Sequence, residues 1–299
     1  MKTVLITGAG PTGVTGRAIK EYLQDSYEIL SPSSKELDLT NDEAVRAYFD
    51  NHQVDYVVHC ATYRSKISQT THLVDDEFES NLRMYFNLAA QSDKFQKMAY
   101  LGSGAEYDKS RPIVNISEDQ FGERIPKDQY GFGKYIMNQY CRSSKNIYNL
   151  RMFGTLNKYE RYTKNVVCNL CAKAVMGLPL TLRQDVLFSW VDIKNVAEAI
   201  RYLFENNINR HDYNIALPTA YKLSAITEYI SDLNNNKTHV YFDRDGLYKE
   251  YTCETNNFIN DFQIELFDIQ QSVKDVYSYL LKNRDNINID DIDGRWKRQ

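Results

Sequence analysis

The segment VLITGAGPTGVTGRAI, residues 4–19, restricts this chain more than any other. A short apolar run passes directly into glycines and then into a helical pattern. Gly8, Gly10 and Gly13 fit the spacing GxGxxG, and Gly10, Gly13 and Gly16 fit GxxGxxG equally well. Either trio strips side chains from a strand-to-helix turn. A pyrophosphate can then approach the free N–H groups of a helix N-terminus, where the macrodipole favours an anion. Spacing alone is a weak signal. It gains weight directly after a first strand, in a chain that goes on alternating strand and helix. Gly8, Gly10, Thr12, Gly13 and Val14 are the expected contacts with a dinucleotide; a ligand-free glycine turn is the plainer alternative.

The alternation continues. Strand patterns lie at residues 3–6, 27–30, 54–60, 97–102 and 147–153, separated by helical patterns at 16–23, 41–51, about 76–92 and from Tyr130 onward. This order predicts an α/β fold, a Rossmann-type doubly wound parallel sheet covered by helices on both faces. Beyond residue 155 the pattern loosens into a helix at 165–176, an apolar stretch at 190–193, a helix at 196–205, a strand–helix pair within 212–233 and a last helix at 269–283. No Pro/Gly/Ser-rich linker divides the chain, so a smaller α+β C-terminal substrate lobe is expected to interleave with the first domain. The expected division is 1–155 plus about 190–210 for dinucleotide binding, and about 156–189 plus 211–283 for the second lobe. The remaining 284–299 reads as a loose polar tail.

A net charge of −4 over 299 residues gives no basic footprint for nucleic acid. No apolar run approaches the roughly 20 residues of a membrane span, and MKTVLITG reads as a strand rather than an export signal. A cytoplasmic protein with neither nucleic-acid nor membrane partners is expected. The five cysteines are odd in number and irregularly spaced, so no disulfide framework is expected. Cys168 and Cys171 form a single CxxC without the second pair that a four-ligand zinc site requires. They read as the buried face of a helix, and no metal is expected.

An Asp or Glu usually closes the second strand when the cofactor lacks a 2′-phosphate. Here that tip reads Leu30-Ser31-Pro32-Ser33-Ser34-Lys35. The hydroxyls of Ser33 and Ser34 and the charge of Lys35 suit a phosphate, favouring NADP (NADPH) over NAD. Glu36, next along, counts against it.

Tyr130 and Lys134 lie four apart in DQYGFGKYIMNQY, which puts them on one helical face. An ammonium near a phenol favours the phenolate and lowers its pKa from about 10. Such a tyrosine can exchange a proton with a sugar oxygen while hydride passes to or from a nicotinamide, an effect of roughly 10²–10⁴ in rate. YxxxK also occurs on ordinary surface helices, so it needs a partner. MAYLGSGAEYD supplies Ser103, just past the end of an apolar strand, where ligands of open α/β sheets bind.

With these residues in place, the chain resembles the extended short-chain dehydrogenase/reductases of the NAD-dependent epimerase/dehydratase family over about residues 1–280. The matching segments are the glycine loop, DLT at 38–40, VVHCAT at 57–62, Asn81, LGSGAEY at 101–107, Tyr130 with Lys134, NLRMFG at 149–154 and WVDIKNVAEAI at 190–200. The resemblance implies Asp38 and Leu39 at the adenine, and Cys60, Ala61 and Thr62 along the ribose and nicotinamide. It also implies Met152, Tyr130 and Lys134 at the cofactor, and a C-terminal lobe that grips a nucleotide-sugar substrate. A homodimer through the helices holding Asn81 and Tyr130 is implied too. The chain departs from the family pattern in several places. The glycine loop is about two residues longer than TGxxGxxG, Met152 replaces a proline, Gly154 an asparagine, and Phe188-Ser189 an Arg-Asp pair. Arg183, between Pro179 and Trp190, is the candidate diphosphate contact.

Dehydratases of this family carry Asp-Glu just after the active-site Ser/Thr; Gly104 and Ala105 stand there instead. Glu106 is one step late, and on a strand that shift turns a side chain to the other face. The chain is most similar to fucose-synthase-type 4-ketoreductases, whose 3,5-epimerisation uses a Cys and a His. Here those positions read Ala105 and, by rough alignment, Asn165. Ser103, Ala105, Asn165 and Arg183 are therefore the expected substrate contacts. The expected activity is NADPH-dependent reduction of the C4 keto group of a nucleotide-linked deoxy keto-sugar, without epimerisation. An NAD-dependent 4-epimerase or 4-dehydrogenase needs the same three residues, and a non-catalytic dinucleotide sensor is a third reading.

Overall fold

The computed structural model describes residues 1–63, 76–235 and 238–293. The first half runs β1 (Thr3–Thr7), α1 (Thr15–Leu23), β2 (Glu28–Leu30), α2 (Asp42–Asn51), β3 (Tyr56–His59), α3 (Asp76–Ala89), β4 (Lys97–Ser103), β5 (Ile113–Ile116), α4 (Gln129–Ser143) and β6 (Ile147–Met152). The second half continues with β7 (Gly154–Leu156), α5 (Val166–Met176), β8 (Leu180–Leu182), β9 (Leu187–Phe188), β10 (Trp190–Asp192), α6 (Ile193–Glu205) and β11 (Asp212–Ile215). It ends with β12 (Tyr221–Lys222), α7 (Leu223–Leu233), β13 (Val240–Phe242), β14 (Tyr251–Cys253), α8 (Asn256–Asp261), α9 (Ile269–Lys282) and α10 (Ile289–Asp293).

A six-stranded sheet in the order β11-β6-β4-β3-β1-β2 forms the centre, and all its pairings are parallel. Parallel strands are covered on both faces and so read as continuous apolar runs. Successive side chains point to opposite faces. Val4 and Ile6 pack with α1 and α6 through Ile19, Leu23, Val196 and Ile200, while Leu5 packs on the other side with Val45, Tyr85 and Met137. The chain leaves β1 for β2 and then crosses back to β3 on β1's other side. The sheet's topological switch point therefore lies between the tips of β1 and β3, where open α/β sheets bind ligands.

A separate core joins α5, α7 and α9. In α5 every residue from Val167 to Val175 is buried, Cys168 and Cys171 among them as free thiols. A helix apolar on all sides belongs inside. Around this core lie the short strands of three small sheets, including β12-β9-β14-β5.

Two expectations are corrected here. The periodicity assigns everything from 211 to the second lobe, yet β11 is fully buried and forms the edge of the central sheet beside β6. Phe258 and Phe262, in and just after α8, also join the core of that sheet. The reason is that β11 follows α6 as the next step of the strand–helix alternation. The tail is likewise not loose as far as residue 293: Ile287 and Ile292 are buried in the second core, and Asn169 Nδ2 donates to the carbonyl of Ile292 at 3.0 Å. Two apolar anchors in a polar run were enough to dock it. Among the described residues, no helix is long and apolar enough to cross a membrane, and no His/Cys/Asp/Glu group is arranged to hold a metal.

Candidate active site

The glycine loop lies at the switch point, and its geometry selects neither spacing read from the sequence. Gly8 has φ +69°, and a Cβ on it would stand 2.8 Å from Ala61 Cα. A Cβ on Gly13 would meet the Gly8 carbonyl oxygen at 2.1 Å, and one on Gly16 would meet it at 2.7 Å. Gly10 has open space around it and an ordinary φ. The required glycines are thus 8, 13 and 16, and the extra length bulges outward at exposed Pro11 and Thr12, closed by Gly13 N–H to Gly10 O at 2.8 Å. Helix α1, which follows Val14, has no side-chain cap and no acidic residue in its first turn, whereas Asn41, Asp128, Asn165 and Asp192 cap α2, α4, α5 and α6. A cradle that any side chain would fill, opening on helical N–H groups without a side-chain cap, fits a dinucleotide pyrophosphate.

Thr7 joins the two strand tips. Its Oγ1 accepts from Cys60 N and Ala61 N, both at 3.1 Å, and lies 2.9 Å from His59 Nδ1. With both lone pairs taken, the Thr7 proton goes to Nδ1, so the neutral ring carries its hydrogen on Nε2. Burial lowers the His59 pKa to about 3 and raises that of the Cys60 thiol, so both are neutral. Thr62 is exposed at the mouth. Asn81 of α3 fastens the following turn, accepting from Tyr63 N at 2.9 Å and donating to Tyr63 O at 3.0 Å.

The tip of β2 is more contested than its sequence suggests. Glu36 accepts from Ser33 N at 2.7 Å and from the Ser33 side chain, which holds its carboxyl below the usual range. Ser34 and Lys35 are exposed, and Lys20 of α1, a cation the sequence reading passed over, donates to Ser31 Oγ at 2.8 Å. Asp38 is exposed with Oδ1 accepting from Thr40 N and Oγ1. Leu39 buries its side chain in the core, and its carbonyl accepts from Asn87 Nδ2 at 2.9 Å.

Ser103 ends β4 and opens a single helical turn, Gly104–Glu106. Its Oγ accepts from Ala105 N at 3.2 Å, while Glu106 Oε1 accepts from Ser103 N at 3.0 Å. This reciprocal capping fixes the turn. Helix α4 seats on it, because Asp128 caps through Gly131 N at 2.8 Å and a Cβ on Gly131 would lie 2.4 Å from the Ala105 carbonyl. The seating carries Tyr130 and Lys134 to the tip of β4. Lys134 Nζ donates to Leu101 O at 2.8 Å and stands 4.5 Å from the Tyr100 ring centroid and 6.0 Å from that of Tyr130. Burial lowers its pKa to about 8, with the Glu106 charge acting in opposition. Tyr130 keeps 47% of its surface exposed. A cavity of about 200 Å³ opens between α3 and α4, lined by His59, Phe78, Asn81, Tyr100, Tyr130 and Lys134 among others.

Glu106 itself is fully buried and turned away from that cavity. Its carboxylate accepts from Asn149 Nδ2 and from Arg151 Nε at 2.7 Å, and Arg151, also fully buried, continues to Asp212 at 2.9 Å, Asn214 Oδ1 at 2.9 Å and the Tyr107 hydroxyl at 3.0 Å. Neither this network nor Tyr251 of β14, whose hydroxyl lies 2.5 Å from where a Cβ on Gly104 would stand, was legible in the sequence.

Four expected contacts lie elsewhere or have other tasks. Asn165 caps α5: its Oδ1 accepts from Cys168 N at 3.1 Å and its Nδ2 donates to Thr155 O at 3.1 Å, so both amide groups are engaged. Arg183 is exposed in the turn after β8, away from the residues lining the cavity. Ala105 is buried under α4, and Met152 packs half-buried against the sheet core.

Residues 4–216 match the model of the family described as NAD dependent epimerase/dehydratase. The chain is 22% identical to the GDP-L-colitose synthase of Yersinia pseudotuberculosis, over 95% of this chain and 99% of that one. It superposes on a GDP-L-fucose synthetase from Naegleria fowleri bound to NADP, with TM-score 0.78 at 16% identity, covering 95% of this chain and 94% of that one. It also superposes on MlghC, a GDP-mannoheptose C4 reductase from Campylobacter jejuni with NADP bound, with TM-score 0.76 at 16% identity, covering 93% and 98%.

Proposed function

We propose an activity for a chain that belongs to the NAD dependent epimerase/dehydratase family: NADPH-dependent reduction of the C4 keto group of a nucleotide-linked keto-sugar, without 3,5-epimerisation. The observation that carries this reading is the seating of α4 on the Ser103 turn, which gathers Ser103, Tyr130 and Lys134 at the C-terminal edge of the sheet. The cradle of Gly8, Gly13 and Gly16 would hold the cofactor pyrophosphate, and Cys60, Ala61 and Thr62 would line its nicotinamide side. When bound, NADPH supplies the hydride. Ser103 donates a hydrogen bond to the keto oxygen, Tyr130 gives that oxygen a proton, and the Lys134 ammonium favours the phenolate left behind.

The exclusion of epimerisation is supported by the residues found at the positions expected to supply its acid and base. Ala105 offers no thiol, and the amide of Asn165 is tied into a helix cap. His59 reaches the cavity wall, but its Nδ1 accepts from Thr7 and its Nε2 keeps a hydrogen, so it offers no base. NADP is supported by Lys20, Ser34 and Lys35 around the β2 tip and by the relatives named with NADP bound. A nucleotide-sugar substrate is supported by the names of the same relatives. A homodimer through α3 and α4 is supported by Phe132 and Tyr140, each more than a third exposed beside Phe78 and Phe86.

NADPH oxidation at 340 nm with GDP-, dTDP- and UDP-linked 4-keto-6-deoxy sugars tests the reading, run in D₂O with NMR of the product. Turnover with one of them is expected, lost in Tyr130→Phe while NADPH still binds. Deuterium at C3 or C5 would refute the exclusion of epimerisation, and a fully active Tyr130→Phe would refute the mechanism. One observation favours a second reading: Glu36 holds its carboxylate against Ser33, one of the groups expected to meet a 2′-phosphate. If denatured, freshly purified protein releases stoichiometric NAD(H), an NAD-dependent 4-epimerase or 4-dehydrogenase replaces the reductase.

A further inference from the structure

We propose that Asn157, in the turn after β7, is a positioning residue for the cofactor: it fixes the start of α1 through the Val14 carbonyl and so leaves the first N–H groups of that helix to the pyrophosphate. The inference rests on the reading of the glycine loop as a dinucleotide cradle. Asn157 is 2% exposed. Its amide is used at both ends, Nδ2 donating to Val14 O at 3.3 Å and Oδ1 accepting from Tyr159 N at 3.0 Å.

A helix start is commonly fixed by a side chain that bonds one of the first N–H groups. The residues before α2, α4, α5 and α6 do so from extended backbone. Such a cap occupies a donor that an anion could use. Val14 differs: its backbone is already helical, with φ −98° and ψ −71°, and it makes no side-chain cap. Its carbonyl is held at long range within the helix, by Ala18 N at 3.3 Å. The Asn157 amide brings that carbonyl a second donor and consumes no N–H. The start of α1 is tethered from its carbonyl side, and the donors of its first turn stay available to a ligand.

The turn that carries Asn157 is anchored on the same helix at two further points. It is closed by Glu160 N donating to Asn157 O at 2.9 Å. The Tyr159 hydroxyl donates to Glu21 Oε2 at 2.7 Å, and Lys158 Nζ stands 2.6 Å from Glu21 Oε1. The Arg17 guanidinium lies 3.9 Å from the Tyr159 ring centroid. Positions 14, 17 and 21 are spaced by three and four, so they form one stripe of α1. Arg17 and Glu21 hold the turn, and Asn157 applies that hold at the end next to the glycines. A buried amide facing a carbonyl is costly to leave half-paired, so loss of the Nδ2 donor should be felt at Val14.

The test is fluorescence titration of the whole protein with NADPH and with NADH, in the absence of sugar. Asn157→Asp keeps the acceptor for Tyr159 N and removes the donor; Asn157→Leu removes the donor without adding charge. Asn157→Leu should weaken NADPH roughly three- to tenfold, the size of one hydrogen bond's net effect, and Asn157→Asp at least as much. NADH should weaken by the same factor, because the pyrophosphate is common to both. The kcat at saturating NADPH and the KM for the keto-sugar should stay within about twofold, a split that general damage to the fold would not give. A second measurement needs no substitution. Coupling is reciprocal, so NADPH should slow amide hydrogen exchange at residues 157–160 of the wild type. Dissociation constants within twofold of wild type in both variants, a loss that falls on kcat instead of cofactor affinity, or exchange at 157–160 that NADPH leaves unchanged would overturn the proposal and leave the reductase reading standing. A wild type that binds neither dinucleotide would instead remove the cradle on which it rests.

Discussion

Arg151→Met should destabilise the protein by about 3–5 kcal/mol at pH 8, the usual cost of removing one partner from a buried ion pair. The guanidinium has no exposed surface and bonds Glu106, Asp212, Tyr107 and Asn214. Methionine fills much the same volume but leaves two carboxylates in the interior, one of them, Glu106, capping Ser103. The pH dependence separates this charge effect from mere loss of packing. In the native protein, burial raises the Glu106 pKa and Arg151 partly restores it; for Asp212 burial also acts upward, but Arg151 and Asn138 bring the result below the usual range. Without Arg151 both carboxyls must rise. The folded variant then binds more protons than the unfolded chain at mildly acid pH, so its stability falls as pH increases. Urea unfolding followed by intrinsic fluorescence at pH 5 and pH 8 measures both quantities. The loss relative to wild type should be smaller at pH 5. An equal loss at both pH values, or one below about 1 kcal/mol, would refute the account of Arg151 as the counter-charge of a buried pair.

Three further outcomes are expected. Gly10→Ala should leave NADPH affinity and melting temperature nearly unchanged, whereas Gly13→Ala, with its Cβ 2.1 Å from the Gly8 carbonyl, should lose both; equal effects in fluorescence titrations and thermal melts would undo the assignment of the loop. Lys134 has a folded pKa of about 8 against 10.5 when unfolded, so between these values the unfolded chain holds a proton that the folded one has released. Stability should therefore climb with pH across that window by up to roughly 3 kcal/mol, and chemical denaturation of Lys134→Met should show that slope removed. Glu36→Gln should tighten NADPH relative to NADH, and Lys20→Ala should weaken NADPH alone; parallel changes in both dissociation constants would mean that the β2 tip does not meet a 2′-phosphate.

The central sheet was legible because its strands are buried on both faces and so stand out as apolar runs such as VLI and YVVH. The second lobe was not, because β8, β9, β12, β13 and β14 are two or three residues long and pair with distant segments, as β14 does with β5. Strands that short carry no period. The same distinction runs through the site. Tyr130 and Lys134 share a helical face by spacing alone, and Ser103 is marked by its place at a strand end. Tyr251 becomes visible only once β14 is laid beside β9, and Arg151 only once β6 lies between β4 and β11. Asn165 misled although the helix expected at 165–176 starts there: Asn is both a good polar contact and a good helix cap, and the cap is the role it takes.

The arrangement around Ser103 bears on the type of reaction as well as its rate. The first domain holds the serine's backbone through Glu106, braced by Arg151 and Asp212, and the second lobe places the Tyr251 hydroxyl over the neighbouring Gly104. The carboxylate that could have served a neighbouring carbon sits at 106, where it is consumed in the ion pair, and the space beside Gly104 that an acid would need is filled by Tyr251 and Phe153. Placing Asp at 104 should therefore not create an elimination catalyst. Gly104→Asp should displace the Tyr251 hydroxyl and lower reductase turnover, whereas Gly104→Asp combined with Tyr251→Ala frees the space and is the variant in which C4 reduction and loss of water would compete. If Gly104→Asp alone retained full turnover, the filled space would not be what keeps an acid from this position.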